Sequence, residues 1–140
     1  MKIYIGSDHA GFDLKEILIQ YLKKLTYQVD DKGTFGSESV HYPNYAHAVA
    51  EAVSSEPTSL GVLICGSANG VCMTANKHKN IRAAIAWQPE IAALAKQHNN
   101  ANILCLPARY LSEEEAKDVL NAYLKAEFEG GRHQIRVDLI

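Results

Sequence analysis

Few residues in this sequence are of the kinds that build disulfide frameworks or structural metal sites. The 140 residues include only three cysteines, Cys65, Cys72 and Cys105, and no Cys-x-x-Cys pair. An odd number of widely spaced cysteines argues against both a disulfide scaffold and a structural zinc site. We therefore expect reduced thiols, a cytoplasmic location and no bound metal.

The sequence also lacks long apolar runs and an excess of either charge. No apolar run approaches the roughly 20 residues that span a membrane, and the N-terminus MKIYIGSDHAG lacks the apolar region and cleavage site of a signal peptide. The formal net charge is −2, so there is no general basic field for nucleic acid or for an anionic membrane surface. We expect no nucleic-acid partner and no membrane partner, and any anion site must be local.

What the sequence does contain is a fivefold alternation of strand-like and helix-like segments. Hydrophobic residues make up 47% of the chain, enough for one compact domain over residues 1–140. Strands are predicted at 2–8, 27–31, 60–66, 82–87 and 102–108, and helices at 11–25, 44–55, from 69, at 89–97 and after Ser112. This alternation predicts a doubly wound α/β fold, with a parallel sheet between two helical layers. In such folds ligands bind at the carboxyl ends of the strands.

The segment Gly66-Ser67-Ala68-Asn69-Gly70 follows the third strand and leads into a helix. Small residues at such a turn expose backbone N–H groups, and the helix N-terminus adds positive charge, so the turn can hold a phosphate or an oxyanion. It matches neither a P-loop nor a dinucleotide-binding motif, and we expect no cofactor. The residues alone are equally compatible with a plain strand-to-helix turn.

Cys65 ends the third strand beside this turn. The helix N-terminus can stabilise its thiolate, and Ser67 is near enough in sequence to donate a hydrogen bond to the sulfur. A free cysteine is nevertheless more often a small buried hydrophobic residue than a reactive group. The residues alone leave both interpretations of Cys65 open.

Two pairs of polar residues are further candidates. Asp8 and His9 directly follow the first strand, where an acid–base role competes with simple capping of the next helix. His98 and Asn99 lie between the fourth helix and the fifth strand, which topology places at the opposite edge of the sheet. Either that helix stops short of this edge, or His98 serves the site of another subunit.

The arginines form a second candidate anion site. Arg132 and Arg136 lie four residues apart after a glycine pair in the C-terminal tail, and Arg109 follows the fifth strand. Arginine binds phosphate through forked hydrogen bonds, although a solvated basic tail is the simpler interpretation. The tail (about 128–140) has apolar residues flanking the arginines and no partner helix within this chain. We therefore expect it to pack on a second subunit.

Taken together, these segments resemble the ribose-5-phosphate isomerase type B family, whose wider group includes the galactose-6-phosphate isomerase subunits. The resemblance covers essentially the whole chain and rests on GSDHAG, CGSANG, ANK followed by IRAA, QHNNAN and GGRHQIRV, in that order. It implies a Rossmann-like three-layer α/β/α fold with a five-stranded parallel sheet. It also implies a homodimer or a dimer of dimers with shared active sites, acting on a phosphorylated sugar.

The resemblance further implies metal-free conversion of ribose 5-phosphate to ribulose 5-phosphate through an enediolate. Cys65 would be the base that moves a proton between C1 and C2, and Ser67 would support the thiol. The N–H groups of residues 66–70 would hold the enediolate oxygen. Asp8 and His98 would assist ring opening.

The remaining candidates would bind the substrate. The resemblance implies that Tyr42 and Asn99 contact the sugar, while four residues hold the phosphate, some of them from the partner chain: His9, Arg109, Arg132 and Arg136. Elementary chemistry agrees, because proton transfer through an enediolate needs a base, an oxyanion site and a phosphate anchor. The sequence shows no cluster of metal ligands that would support the alternative, a metal-assisted hydride shift.

Some positions depart from the family pattern and keep other functions open. His41 stands where the family usually has aspartate, and Ala68 replaces a glycine, a change that would restrict the backbone unless φ there is helical. These departures leave a hexose-6-phosphate isomerase acting on allose or galactose phosphate as an alternative. A non-catalytic phosphosugar-binding module would have no need of Cys65. A cysteine hydrolase would need a histidine base, which His9 or His98 could supply.

Overall fold

The sheet of this protein is parallel throughout. The structure is a computed structural model that describes all 140 residues. Its five strands are β1 (Lys2–Ser7), β2 (Gln28–Asp31), β3 (Leu60–Cys65), β4 (Ala83–Ile85) and β5 (Ile103–Pro107). They lie in the order β2-β1-β3-β5-β4, and each neighbouring pair runs in the same direction. The order reverses between β1 and β3, which is where open parallel sheets bind ligands.

Helices cover both faces of this sheet. They are α1 (Phe12–Lys24), α2 (Tyr42–Ser55), α3 (Asn69–Ala75), α4 (Pro89–Asn99), α5 (Glu113–Lys125) and a short α6 (Arg132–Val137). One buried cluster joins the sheet to α1, α4 and α5, and a second joins it to α2 and α3. The predicted three-layer α/β/α arrangement is confirmed. No helix has the length and apolar character needed to cross a membrane.

Local sequence accounts for where three of the six helices begin. The Ser112 hydroxyl accepts the N–H of Glu115 (3.1 Å), and the Glu115 carboxylate accepts the N–H of Ser112 (3.0 Å), so the predicted capping box starts α5. Prolines lie in the first turns of α2 and α4, where their missing N–H costs nothing. β4 is shorter than predicted, because it is an edge strand with β5 as its only neighbour.

The C-terminal tail has a partner within its own chain, so the expectation of none was wrong. Gly130 and Gly131 adopt positive φ values of 66° and 57°, which side chains disfavour, and turn the chain back over α4. The N–H of Glu129 donates to the carbonyl of Gln97 (3.0 Å). Three apolar side chains of the tail remain largely exposed after this packing: Ile135, Leu139 and Ile140.

Candidate active site

A pocket of about 330 Å³ opens at the carboxyl ends of β1 and β3. Ten residues line it: Asp8, His9, Ala10, Tyr42, Cys65, Gly66, Ser67, Gly70, Arg109 and Tyr110. An adjoining cleft of about 620 Å³ shares Ser67 and Tyr110 with it, but contains neither Cys65 nor Arg109. We place the candidate site in the smaller pocket, because there a thiol, a carboxylate, an imidazole and a guanidinium converge.

Cys65 lies almost fully buried in this pocket, with 5% of its surface exposed. Burial raises the pKa of its thiol above the ordinary value, and the nearby Asp8 carboxylate adds to the rise. The nearby backbone N–H groups of Val71, Ala68 and Ser67 act in the opposite direction, because hydrogen-bond donors favour the thiolate. The net direction is upward, so the resting group is a thiol with donors already placed to receive its thiolate.

The hydroxyl of Ser67 does not make the hydrogen bond to the Cys65 sulfur that the sequence suggested. Its oxygen accepts hydrogen bonds from the side-chain amide (3.1 Å) and the backbone N–H (3.4 Å) of Asn69, and none joins it to the Cys65 sulfur. Ser67 therefore contacts the thiol through its backbone N–H. Asn69 in turn begins α3 and holds the exposed turn in shape.

Ala68 is the strained residue of the turn. Its φ is 65°, in the left-handed region and not the right-handed helical one, so the alanine in place of glycine does restrict the backbone here. This conformation costs an L-residue about 1–2 kcal/mol relative to the right-handed one. The Ala68 side chain is fully buried with Val71 and Cys65 in the cluster beneath α3, and that packing offsets the strain. The conformation directs the Ala68 N–H toward the sulfur.

Two glycines of the turn are in close contact with side chains from other elements. A Cβ atom on Gly70 would overlap the ring of Tyr42, and one on Gly66 would lie 3.0 Å from the guanidinium of Arg109. The N–H of Arg109 also donates to the carbonyl of Gly66 (3.1 Å). Both predicted substrate-binding side chains therefore pack directly on the turn that carries Cys65.

Asp8 and His9 enter the pocket from the end of β1. Asp8 is 7% exposed, and its carboxylate accepts the N–H of Gly11 (3.1 Å), so it caps the short turn before α1. Its negative charge also acts on Cys65, so capping and site functions coexist. The Nδ1 atom of His9 accepts a hydrogen bond from the N–H of Val40 (3.2 Å).

Four other candidates lie elsewhere: His98, Asn99, Arg132 and Arg136. α4 leaves the carboxyl edge at Pro89 and runs the full way back to Asn99, about 16 Å at 1.5 Å per residue. The Arg82 side chain, just before β4, donates to the carbonyl of Asn99 (3.1 Å), which places that residue at the amino edge of the sheet. The helix does not stop short, so a single chain keeps these four residues apart from Cys65.

The structure also brings together a cluster that the sequence did not reveal. The imidazole of His133 stacks on that of His98 (centroids 4.2 Å apart), and both approach Glu129. Their ligand atoms lie within 4.8 Å of one another, so the expectation of no metal-ligand cluster was wrong. Burial lowers the pKa of His133, the neighbouring His98, Arg132 and Arg136 lower it further, and the Glu129 carboxylate acts in the opposite direction. The guanidinium groups of Arg132 and Arg136 beside the cluster oppose a bound cation, and we assign no metal here.

Two pocket residues, Ala10 and Tyr110, were not predicted from the sequence. Tyr110 directly follows Arg109 after β5, so the rule that ligands bind at strand ends would have found it. His133 and Glu129 had no such signal, because their association with His98 depends on how the tail folds back over α4.

Comparison with known proteins identifies the family of this chain. The Ribose/Galactose Isomerase family model matches residues 3–140. Ribose-5-phosphate isomerase B of Escherichia coli (strain K12) is 44% identical over 139 residues, covering 99% of this chain and 93% of that protein.

Solved structures of the same kind superpose closely on this chain. Ribose-5-phosphate isomerase B of Clostridium thermocellum is 47% identical, with a TM-score of 0.98, over 99% of this chain and 94% of that one. The Mycoplasma genitalium enzyme, solved with bound ribulose 5-phosphate, is 44% identical, with a TM-score of 0.96, over 99% and 92%. From the family match over nearly the whole sequence, the shared fold and the convergent pocket, we conclude that this chain belongs to the ribose/galactose isomerase family and is an isomerase.

Proposed function

We propose that this chain interconverts ribose 5-phosphate and ribulose 5-phosphate by proton transfer, with Cys65 as the base. The observation that carries the proposal is the environment of Cys65. Its sulfur lies in the pocket, it is protonated at rest, and three backbone N–H groups stand ready to stabilise its thiolate. The M. genitalium relative, which is solved with ribulose 5-phosphate, supports the choice of sugar.

The chemistry follows from these groups. The thiolate of Cys65 removes the proton from C2 of the open-chain aldose, and the electron pair moves to give an enediolate. The O2 hydroxyl passes its proton to O1, and the same thiol returns the carbon-bound proton to C1, which leaves the carbonyl at C2 and yields the ketose. The backbone N–H groups at the sulfur assist this step because they stabilise the thiolate that acts as the base. Arg109 is the cation that this chain itself contributes to the pocket.

A second subunit completes the site in this proposal. His98, Asn99, Arg132 and Arg136 lie at the amino edge of the sheet, away from Cys65 of the same chain. A homodimer that places this edge against the partner's pocket would supply the ring-opening histidine and two phosphate-binding arginines. The exposed apolar side chains Ile135, Leu139 and Ile140 provide hydrophobic surface for such an interface.

The geometry disfavours a cysteine hydrolase. Such an enzyme needs a histidine that takes the proton of its thiol. Nδ1 of His9 is already occupied by the N–H of Val40, His98 of the same chain lies at the far end of α4, and a His98 supplied by a second subunit is assigned here to ring opening. A binding module without catalysis would not need the donors that surround the Cys65 sulfur.

A coupled assay with purified protein tests the proposal. Ribose 5-phosphate, allose 6-phosphate and galactose 6-phosphate are compared, each with and without a strong chelator. We expect the highest kcat/KM for ribose 5-phosphate and no effect of the chelator. A preference for a hexose phosphate would overturn the substrate assignment, and loss of activity with chelator would overturn the metal-free mechanism.

A further inference from the structure

A loop remote in sequence holds the imidazole of His9. The backbone N–H of Val40 donates to His9 Nδ1 at 3.2 Å, although the two residues are 31 positions apart. Val40 lies in the connection between β2 and α2, and His9 lies just after β1. A contact of this kind between a pocket histidine and a backbone amide fixes both the ring's orientation and its protonation pattern.

The chemical nature of the two groups fixes which one donates this hydrogen bond. A backbone N–H can only donate, so Nδ1 of His9 must present a lone pair. In a neutral imidazole the single proton then sits on Nε2. Since His9 lines the pocket and Nδ1 is engaged with the loop, Nε2–H is the polar group that His9 has left to offer there.

We propose that the N–H of Val40 is a positioning group that fixes His9 as the Nε2–H tautomer, making His9 a hydrogen-bond donor to an oxygen of the sugar phosphate. In this form Nε2 cannot accept a proton, so His9 does not deprotonate either Cys65 or a sugar carbon. The identity of the acceptor oxygen rests on the proposed isomerase function. The assignment of the tautomer is independent of that function.

The loop that carries Val40 is anchored at both of its ends. At its start, the N–H of Ser7 donates to Gly33 O (2.7 Å), and the N–H of Thr34 donates to Ser7 O (2.8 Å). The carboxylate of Asp31 accepts the N–H of Gly33 (2.9 Å) and pairs with the buried ammonium of Lys15 (2.6 Å). At its other end the loop runs directly into α2, which begins at Tyr42.

Nuclear magnetic resonance of the wild-type protein tests the tautomer directly. In a ¹⁵N-labelled sample, long-range proton–nitrogen correlations show which ring nitrogen of His9 carries the proton. The His9→Asn variant identifies the signals. We expect an unprotonated Nδ1, a protonated Nε2 and a scalar coupling between His9 Nδ1 and the Val40 amide nitrogen. A protonated Nδ1 in the neutral ring, or rapid exchange between tautomers, would overturn the proposal.

Substitutions then test what the tautomer does. Glutamine places an amide N–H where Nε2–H stands and asparagine places one where Nδ1 stands, so His9→Gln should retain about tenfold more kcat/KM than His9→Asn. Val40→Pro removes the N–H, whereas Val40→Ala keeps it and serves as the matched control. We expect the proline variant alone to populate both tautomers and to lose about tenfold in kcat/KM.

The outcomes separate this proposal from the proposed function. Equal activity of the Gln and Asn variants, or an unchanged tautomer in Val40→Pro, would contradict the role given to Val40. A fixed Nε2–H tautomer in a protein that fails to turn over ribose 5-phosphate would leave the positioning intact and overturn the substrate assignment. Because the tautomer is read from the wild-type protein, misfolding of a variant does not decide the question.

Discussion

The ring of Tyr42, in the first turn of α2, packs directly on the backbone of Gly70 at the start of α3, with no room for a Cβ atom between them. This contact connects a helix on one side of the pocket to the turn that carries Cys65. It makes the position of the tyrosine depend on a glycine 28 positions away, which neither residue reveals in the sequence.

Replacing Gly70 by alanine therefore tests the placement of Tyr42. The added methyl group must displace the ring, and we expect KM for ribose 5-phosphate to rise about tenfold while kcat changes less. Gly36→Ala is the matched control, because a Cβ atom there has no neighbour within 4 Å. Steady-state kinetics of both variants provide the measurement, and equal KM values would show that the contact does not position a substrate group.

Cys65→Ala tests the assignment of the base. We expect isomerisation to be abolished and the binding of ribose 5-phosphate, measured by calorimetry, to survive, because the arginines and backbone amides remain. Cys72→Ala is the control: this half-buried thiol donates to the carbonyl of Ala83 and lies outside the pocket. Retained turnover in Cys65→Ala would contradict the assignment of Cys65 as the base.

The raised pKa of Cys65 makes a prediction about pH. Since the thiolate is the active form, kcat/KM should rise with pH through neutrality and level off above the ordinary thiol pKa of 9.0. The same shift favours the folded state below that value, and this stabilisation is lost as pH rises through the raised pKa.

Alkylation gives an independent measurement of this titration. The pKa of Cys72 is lowered by a hydrogen bond from Cys105, so Cys72 should react first with iodoacetamide and must be removed. In the Cys72→Ala background, the alkylation rate of Cys65 and kcat/KM should follow the same pH curve. An alkylation rate that is already maximal at neutral pH would contradict the raised pKa.

Subunit complementation tests whether the site is shared. Cys65→Ala damages the pocket, and Arg136→Ala damages the exposed tail at the opposite edge. In a mixed dimer one of the two sites receives neither defect. Random pairing of equal amounts makes about half of the dimers mixed, so about a quarter of wild-type activity should be restored at low substrate concentration. Two variants that both damage the pocket, Cys65→Ala and Arg109→Ala, should show no restoration. Activity no higher than the average of the parents would mean that each chain works alone.

Lys15 and Asp31 allow a prediction about stability. The Lys15 side chain is fully buried, its ammonium lies 2.6 Å from the Asp31 carboxylate, and Asp31 remains one-quarter exposed. Asp31→Asn leaves a buried cation with only exposed Glu16 as partner and should cost about 3 kcal/mol of unfolding free energy. Lys15→Met should cost less, because the remaining carboxylate reaches water and keeps the N–H of Gly33. Urea denaturation of both variants compares them, and the reverse order would refute this account.

The sequence by itself determined the architecture and half of the site. Alternating periodicities predicted the strands and helices to within a few residues, because each element has to bury one face. The strand-end rule then placed Asp8, Cys65, Ser67 and Arg109 in one pocket. These predictions depended only on local pattern and on the direction of parallel strands.

Tertiary structure alone decided the finer points. The left-handed φ of Ala68 arises because the turn must reach α3 while its N–H faces the sulfur, and no local preference of alanine signals this. Likewise, the hydrogen bond between Val40 and His9, the stacking of His133 on His98 and the folding of the tail over α4 join segments distant in sequence. Such contacts depend on how the packed layers of the fold meet in space. The local pattern of the sequence does not contain that information.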